Sequence, residues 1–183
     1  MLFDFVTSDT HYGHARIIEL CNRPFENVDA MTEGLIERYN HVVHQDHTVL
    51  FCGDIFFCNV EKAKTIMSRL NGRKLLVRGN HDRGEASMAT LGFELVANEL
   101  VTNIAGRTVR ISHYPYAGNE MGDGEKEQRY LDRRPERIKG EVLIHGHTHA
   151  STKLIGTQLH VGVDAWEQKP VSFDEVRSLI ETI

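Results

Sequence analysis

Apolar residues along the chain fall first into short runs of strand length. These are Leu2–Val6, Val49–Cys52, Leu75–Val77, Val109–Ile111, Val142–Ile144 and Leu159–Val163. Several are continuous rather than alternating, the pattern of strands covered on both faces. Between them the period changes. Leu35, Tyr39 and Val42 recur at helical spacing after a candidate N-cap at Asp29. Val60, Ala63, Met67 and Leu70 form a second stripe, with Asn59 as N-cap and Gly72 as the stop. Ser172 and Glu175 spell a capping box, and Phe173, Val176, Ile180 and Ile183 give a last helix its inward stripe. The stretch from Glu94 to Ser112, broken by Ala105-Gly106-Arg107, reads as a hairpin. Strand and helix alternate in the first half and strands dominate the second, which predicts an α/β domain with more than one sheet.

One segment breaks the rhythm. Residues 117–137 (AGNEMGDGEKEQRYLDRRPER) are polar, densely charged and hold three glycines. A structureless stretch of roughly 20 residues is unusual inside a compact domain and is often functional. It lies between His113 and His147, so it reads as a lid over whatever those residues build, with an inert solvated loop or an oligomer contact as the alternatives. No linker or repeat divides the chain, and 183 residues fit one domain spanning 1–183.

Composition narrows the class. Hydrophobic residues make up 40% and charged residues 26%, as in soluble globular proteins, and no apolar run is long enough to cross a bilayer. The N-terminus has no secretory pattern, and Cys21, Cys52 and Cys58 form no C-x-x-C pair, so a reducing cytoplasm is expected. A net charge of -5 disfavours a large nucleic-acid surface. The unusual number is eleven histidines against five tyrosines and one tryptophan, because imidazole is the commonest side-chain metal ligand.

The histidines are not scattered. Asp9-Thr10-His11 follows the first apolar run, Gly53-Asp54 the second and Gly79-Asn80-His81-Asp82 the third. His113 follows the fourth, and Gly146-His147-Thr148-His149 the fifth. Ligands of α/β sheets bind beyond the carboxyl ends of strands. Hard oxygen and imidazole nitrogen donors without thiolates suit a pair of divalent cations working on phosphate esters.

This ordered set resembles the signature of the calcineurin-like metallophosphoesterases: D-x-H, G-D, G-N-H-[DE], a single H, and G-H-x-H. The match runs from Asp9 to His149 with no signature residue missing. The segments SDTHYGHARII, CNRPF and VDAWEQKPVSFDEV are further similar to small single-domain bacterial and phage members. The resemblance implies a fold of two mixed β-sheets packed as a sandwich flanked by helices. It implies that Asp9, His11, Asp54 and His149 hold one metal, and that Asp54, Asn80, His113 and His147 hold the other, with Asp54 bridging. It implies two divalent ions per chain, manganese foremost, with iron, zinc, nickel or cobalt as alternatives. It further implies hydrolysis by a hydroxide between the metals, with His81 protonating the leaving oxygen and Asp82 orienting His81.

Phosphodiesters are the expected substrates, either small esters or nucleotides. A phosphomonoesterase or nuclease of the same fold and a metal-dependent binding scaffold are the alternatives. Arg23 and Arg83 are each candidates for a phosphate contact, against a solvated or fold-pairing role. His14 either touches the site or starts the first helix. The role of His145 is open and His160 reads as structural. His41, His44 and His47 mimic a metal site but read as the wet end of a surface helix. Sequence leaves the oligomeric state open.

Overall fold

The computed structural model describes residues 2–117 and 130–183. The chain enters on β1 (Phe5–Thr7), passes α1 (Ile17–Leu20) and α2 (Val28–Val42), and continues through β2 (Thr48–Phe51) and α3 (Val60–Met67). Next come β3 (Arg73–Val77), α4 (Glu85–Ala89) and β4 (Leu95–Ala97). The second half supplies β5 (Glu99–Ile104), β6 (Arg107–Ser112), β7 (Val142–His145), β8 (Leu154–Ile155), β9 (Gln158–His160), β10 (Val171–Ser172) and α5 (Phe173–Glu181). These strands form two mixed sheets, in the order β10-β1-β2-β3-β4 and β5-β6-β7-β9-β8. In the first, β1 to β4 are parallel and β10 runs antiparallel to β1. In the second, β6, β7 and β9 are parallel, with antiparallel β5 and β8 at the edges.

Strand β2 explains why its sequence is apolar throughout. Leu50 and Cys52 face the second sheet and pack with Val6, Val77, Val109, Ile111, Val142, Ile144 and Leu159. Val49 and Phe51 face the other way, against Met31, Leu35, Tyr39, Ala63 and Ile66 of the helical layer. A strand wetted on neither side has no use for alternation.

Three local expectations need correction. Asn27, not Asp29, caps α2: its extended backbone lets the side chain accept from the N–H groups of Asp29 and Ala30, which places Asp29 in the first turn. There its negative charge complements the helix dipole. Gly72 does not end α3, which stops at Met67. It sits instead at φ +77° in the turn into β3, where an added Cβ would lie 2.6 Å from the His47 carbonyl. The hairpin is shorter than Glu94–Ser112, because Leu95–Ala97 pairs with β3 in the first sheet and only β5 and β6 form the hairpin. Asn98 is the single residue between the two sheets at this crossing. The Asn59 cap and the Ser172–Glu175 capping box are both present. No helix among the described residues is long and apolar enough to cross a membrane.

Candidate metal centre

Parallel neighbours end at the same edge of a sheet, so β1, β2 and β3 deliver their following loops side by side, as do β6 and β7. The loops are then tied together. Asp9 N–H donates to the Gly53 carbonyl at 3.0 Å and His11 N–H to that of Asp54 at 3.1 Å. Gly146 N–H donates to the His113 carbonyl at 3.1 Å. Approach is close enough to exclude a side chain at two of these turns: a Cβ on Gly79 would collide with the Asp54 carboxylate, and one on Gly146 with Ser8 and Asp9. The backbone here is also unusual. Asp9, His11, Asp54, His147 and His149 all have left-handed φ, between 49° and 72°. Such conformations are uncommon for residues with a Cβ and are found disproportionately at functional sites.

The side chains converge as two groups. Ligand atoms of Asp9, His11 and His149 lie within 4.8 Å of one another, and so do those of Asp54, His113 and His147. Asp54 stands between them: its Oδ2 is 3.7 Å from His11 Nε2 and 3.4 Å from His113 Nε2. Asn80 Oδ1 is 3.2 Å from His113 Nε2, which places Asn80 with the second group. Both ring nitrogens of His11 and Nε2 of His147 are buried without a hydrogen-bond partner. Buried polar atoms are rarely left so. Unpartnered imidazole nitrogens beside buried carboxylates fit a pair of divalent cations.

Outer contacts aim these candidate ligands. His113 Nδ1 lies 2.8 Å from the Cys52 carbonyl, which fixes the proton on Nδ1 and leaves Nε2 for the site. His149 Nδ1 donates to Asp164 Oδ2 at 2.8 Å, with the same result. Asp9 accepts the His147 N–H on both oxygens, at 3.1 and 2.9 Å. Electrostatics follow from burial and these neighbours. Burial pushes His147 down to about 3 and His11 well below its ordinary value, so both rings are neutral donors. Burial also presses on His113 and His149, but Asp54 outweighs it and holds His113 up to about 9, and Asp164 holds His149 up to about 10. Burial raises the Asp9 carboxyl. In Asp54 burial is overcome by His113, His11 and the His81 N–H, and its carboxyl lies below the usual range.

His81 stands apart from the two candidate ligand groups. Its side chain is 42% exposed, and its Nε2 is 3.9 Å from Asp54 Oδ2. It stands at the mouth, edge-on to His11 and to Phe57. Among the described residues, the Asp82 carboxylate accepts from backbone N–H groups and not from the His81 ring. Its Oδ2 accepts the N–H groups of Asp54 and Gly79, and its Oδ1 that of Ile55. A carboxylate with three backbone donors is a staple for the turn carrying Asp54.

Arg23 is not available to a phosphate either. Its side chain is 0% exposed and paired with Asp164 at 2.8 Å. All five N–H groups are engaged, by Asp164 twice, the carbonyls of Asp9 and Thr10, and Met31 Sδ. It props the Asp9 turn from below. Arg83 donates to the Cys58 carbonyl at 2.6 Å and is partly exposed. His14 Nδ1 accepts the Ile17 N–H at 3.1 Å at the start of the first helix, and its ring also lies edge-on to His11 at 5.7 Å and tilted over Phe57 at 4.1 Å. His41 and His44 are exposed and the His47 ring is tilted against Phe5, outside both ligand groups. His145 and His160 face each other across β7 and β9, fully buried, with rings 5.4 Å apart.

Of the 117–137 segment, residues 118–129 lie outside the described residues. Its described flank meets the site: Tyr130 packs against Tyr114 and His147, with ring centroids 5.6 and 5.8 Å away. Sequence reasoning missed Asp164, Phe57, Tyr114 and Arg78. A signal existed for Asp164. It follows the sixth apolar run, Leu159–Val163, as the ligands follow the other five.

Residues 4–161 match the model of the calcineurin-like phosphoesterase superfamily domain. The gene 66 protein of Mycobacterium phage L5 is 34% identical, over 97% of this chain and 93% of its own length. An uncharacterized protein of Methanocaldococcus jannaschii is 30% identical, over 97% of this chain and 90% of its own. A protein of unknown function from Aquifex aeolicus shares the fold, with a TM-score of 0.72, 24% identity, and coverage of 96% of this chain and 98% of that one.

Proposed function

The chain belongs to the calcineurin-like phosphoesterase superfamily, whose members are metal-dependent phosphoester hydrolases, and from that premise we propose that it hydrolyses phosphodiesters, with His81 as general acid. The observation that carries the reading is the pair of ligand groups joined by Asp54, with buried imidazole nitrogens that have no other partner. Asp9, His11, His149 and Asp54 would hold one divalent cation. Asn80, His113, His147 and Asp54 would hold the other. When bound, such a pair supplies Lewis-acid polarisation of phosphoryl oxygens and a water of lowered pKa. Imidazole and hard oxygen donors without a thiolate suit manganese, iron, zinc, nickel or cobalt, and manganese is our first choice. Residues 1–183 are read as one domain.

The chain's own groups then divide the work. His113 and His149 keep their Nδ1 protons on Cys52 O and Asp164, so a bound cation would displace only the Nε2 proton of each and take that nitrogen. Asp82 and Arg23 hold the Asp54 and Asp9 turns in register. His81 Nε2 faces inward from the mouth and carries the proton that neutralises the leaving oxygen. Such a transfer typically contributes 10²–10⁴-fold.

Charge favours diesters. Only Asp9 and Asp54 are anionic in the ligand set, so a diester monoanion meets residual positive charge. A monoester dianion needs a further cation at the same phosphate. Arg23 is fully engaged and cannot supply it.

The test compares kcat/KM for bis-p-nitrophenyl phosphate and p-nitrophenyl phosphate with saturating manganese. A higher value for the diester is expected. A monoester preference above tenfold, about 1.4 kcal/mol, overturns the diester assignment. No turnover of either with any of the five metals overturns hydrolysis itself.

A further inference from the structure

Beside the second ligand group lies a cavity of about 530 Å³, within the range of about 300–1,000 Å³ typical of small-molecule sites. Its walls include Arg78, Gly79, Asn98, Ser112, Tyr114 and Arg133. Gly79 precedes the proposed ligand Asn80, and the Tyr114 ring is 5.1 Å from His113 and 5.3 Å from His147. The cavity is therefore contiguous with the proposed metal centre.

Its charge is unbalanced. Arg78 donates to Asn98 Oδ1 at 2.6 Å and to the Arg83 carbonyl at 3.3 Å, both neutral acceptors, and its Nε is buried without a partner. Arg133 donates to the Tyr114 hydroxyl at 3.3 Å and lies over the Tyr130 ring. Neither arginine forms an ion pair among the described residues. Glu99, also on the wall, is engaged by Arg110. Two guanidinium groups facing one cavity, with donors to spare, make a site for phosphate oxygens, which arginine binds in paired hydrogen bonds. The nearby tyrosines add ring faces for a base or sugar.

We infer that this cavity is a second anion subsite, filled by a further phosphate carried on the substrate, so that the preferred substrates are nucleotide-type diesters with a second phosphate. The inference rests on the reading that the scissile phosphate sits at the two ligand groups. Arg78, which the sequence did not single out, and Arg133 of the charged segment line this cavity, whereas Arg23 does not.

The test is binding, so that it does not depend on turnover. Isothermal titration of the manganese-loaded protein compares adenosine 3′,5′-bisphosphate with adenosine 5′-monophosphate. The bisphosphate should bind at least tenfold tighter. Arg133→Gln should lower that ratio at least threefold, and adding Arg78→Gln should lower it further. Arg133 is exposed, so the single variant keeps the test valid if loss of Arg78 disturbs the loop it bridges; circular dichroism checks the fold. Arg177→Gln, on the far helix, should leave the ratio unchanged. A wild-type ratio below tenfold, or an Arg133→Gln ratio within threefold of wild type, overturns the subsite. A protein that shows the ratio but turns over no ester sinks the hydrolytic reading and leaves the subsite standing.

Discussion

Asp164 carries the most informative perturbation, because two buried groups depend on it at once. Its Oδ2 accepts from His149 Nδ1 and Arg23 Nη2, and its Oδ1 from Arg23 Nε and Gln168 Nε2. Asp164→Ala leaves the Arg23 guanidinium buried without a counter-charge. Breaking one side of such a pair costs about 3–5 kcal/mol. It also releases the His149 ring, and loss of an orienting carboxylate typically weakens metal binding about 10–100-fold. Asp164→Asn should separate the two effects. Its amide nitrogen must replace one oxygen, and the Oδ1 position is the milder choice because Gln168 can turn its own amide. His149 then keeps its acceptor, while Arg23 loses its counter-charge and one acceptor but keeps the Oδ2 contact, so the loss should be smaller than in Asp164→Ala. The expected order of stability in urea, without metal, is wild type, then Asp164→Asn, then Asp164→Ala. The expected order of manganese affinity puts Asp164→Asn beside wild type and Asp164→Ala below it. Acid should close the stability gap. Burial pushes the Asp164 carboxyl up, but the His149 and Arg23 contacts bring it below its ordinary range. Its contribution is thus intact above about pH 4 and lost as pH falls through the lowered value. An Asp164→Ala protein within 1 kcal/mol of wild type, or with both cations bound at affinities within threefold of wild type, would refute this account.

Three further outcomes are expected. His81→Ala should lower kcat about 10²-fold or more, less for a p-nitrophenolate leaving group, with metal content unchanged; loss of a metal in elemental analysis would make His81 a ligand. Asp82→Ala orphans three backbone donors, at about 1–3 kcal/mol for each one left buried, and should loosen both cations together. A variant that kept stability and metals but shifted the acidic or basic limb of the pH–rate profile would return Asp82 to the role of His81's partner. Replacing His41, His44 and His47 together by Gln should leave kcat/KM within about threefold, since they are remote from the ligand groups; a large loss at normal fold stability would contradict that.

What could be read from the sequence was whatever depends on residue type and order. Two-sided burial writes β2 as an unbroken apolar run, and strand ends followed by Asp or His point to the candidate ligand groups in the sequence itself. Partners set by three-dimensional approach were not legible. Asp82 stands next to His81 in sequence, and the family resemblance implies that it orients that ring. In space its oxygens turn back to Asp54, Ile55 and Gly79, which no pattern encodes. Arg23 is open in the sequence between a phosphate contact and a fold-pairing role because its counter-charge, Asp164, is 141 residues away. Leu95–Ala97 reads as part of a hairpin because the apolar run that follows it in sequence is a strand. It pairs with β3 instead, and the change of sheet occurs at one polar residue, Asn98, without a turn signal.

The left-handed backbone at Asp9, His11, Asp54, His147 and His149 has a consequence for how this protein changes over generations. Each such position costs on the order of 1–3 kcal/mol, a sum comparable to the whole stability of an ordinary domain. Selection for hydrolysis must keep that load, and the remainder of the chain must carry it. Selection for heat resistance alone would discard it. In a laboratory lineage screened only for thermal survival, glycine should accumulate early at positions 11, 147 and 149, where the side chain gives the least help with a positive φ. The same lineage should lose its metals in the same rounds. Heat resistance and catalysis would then be opposite directions along one short set of substitutions.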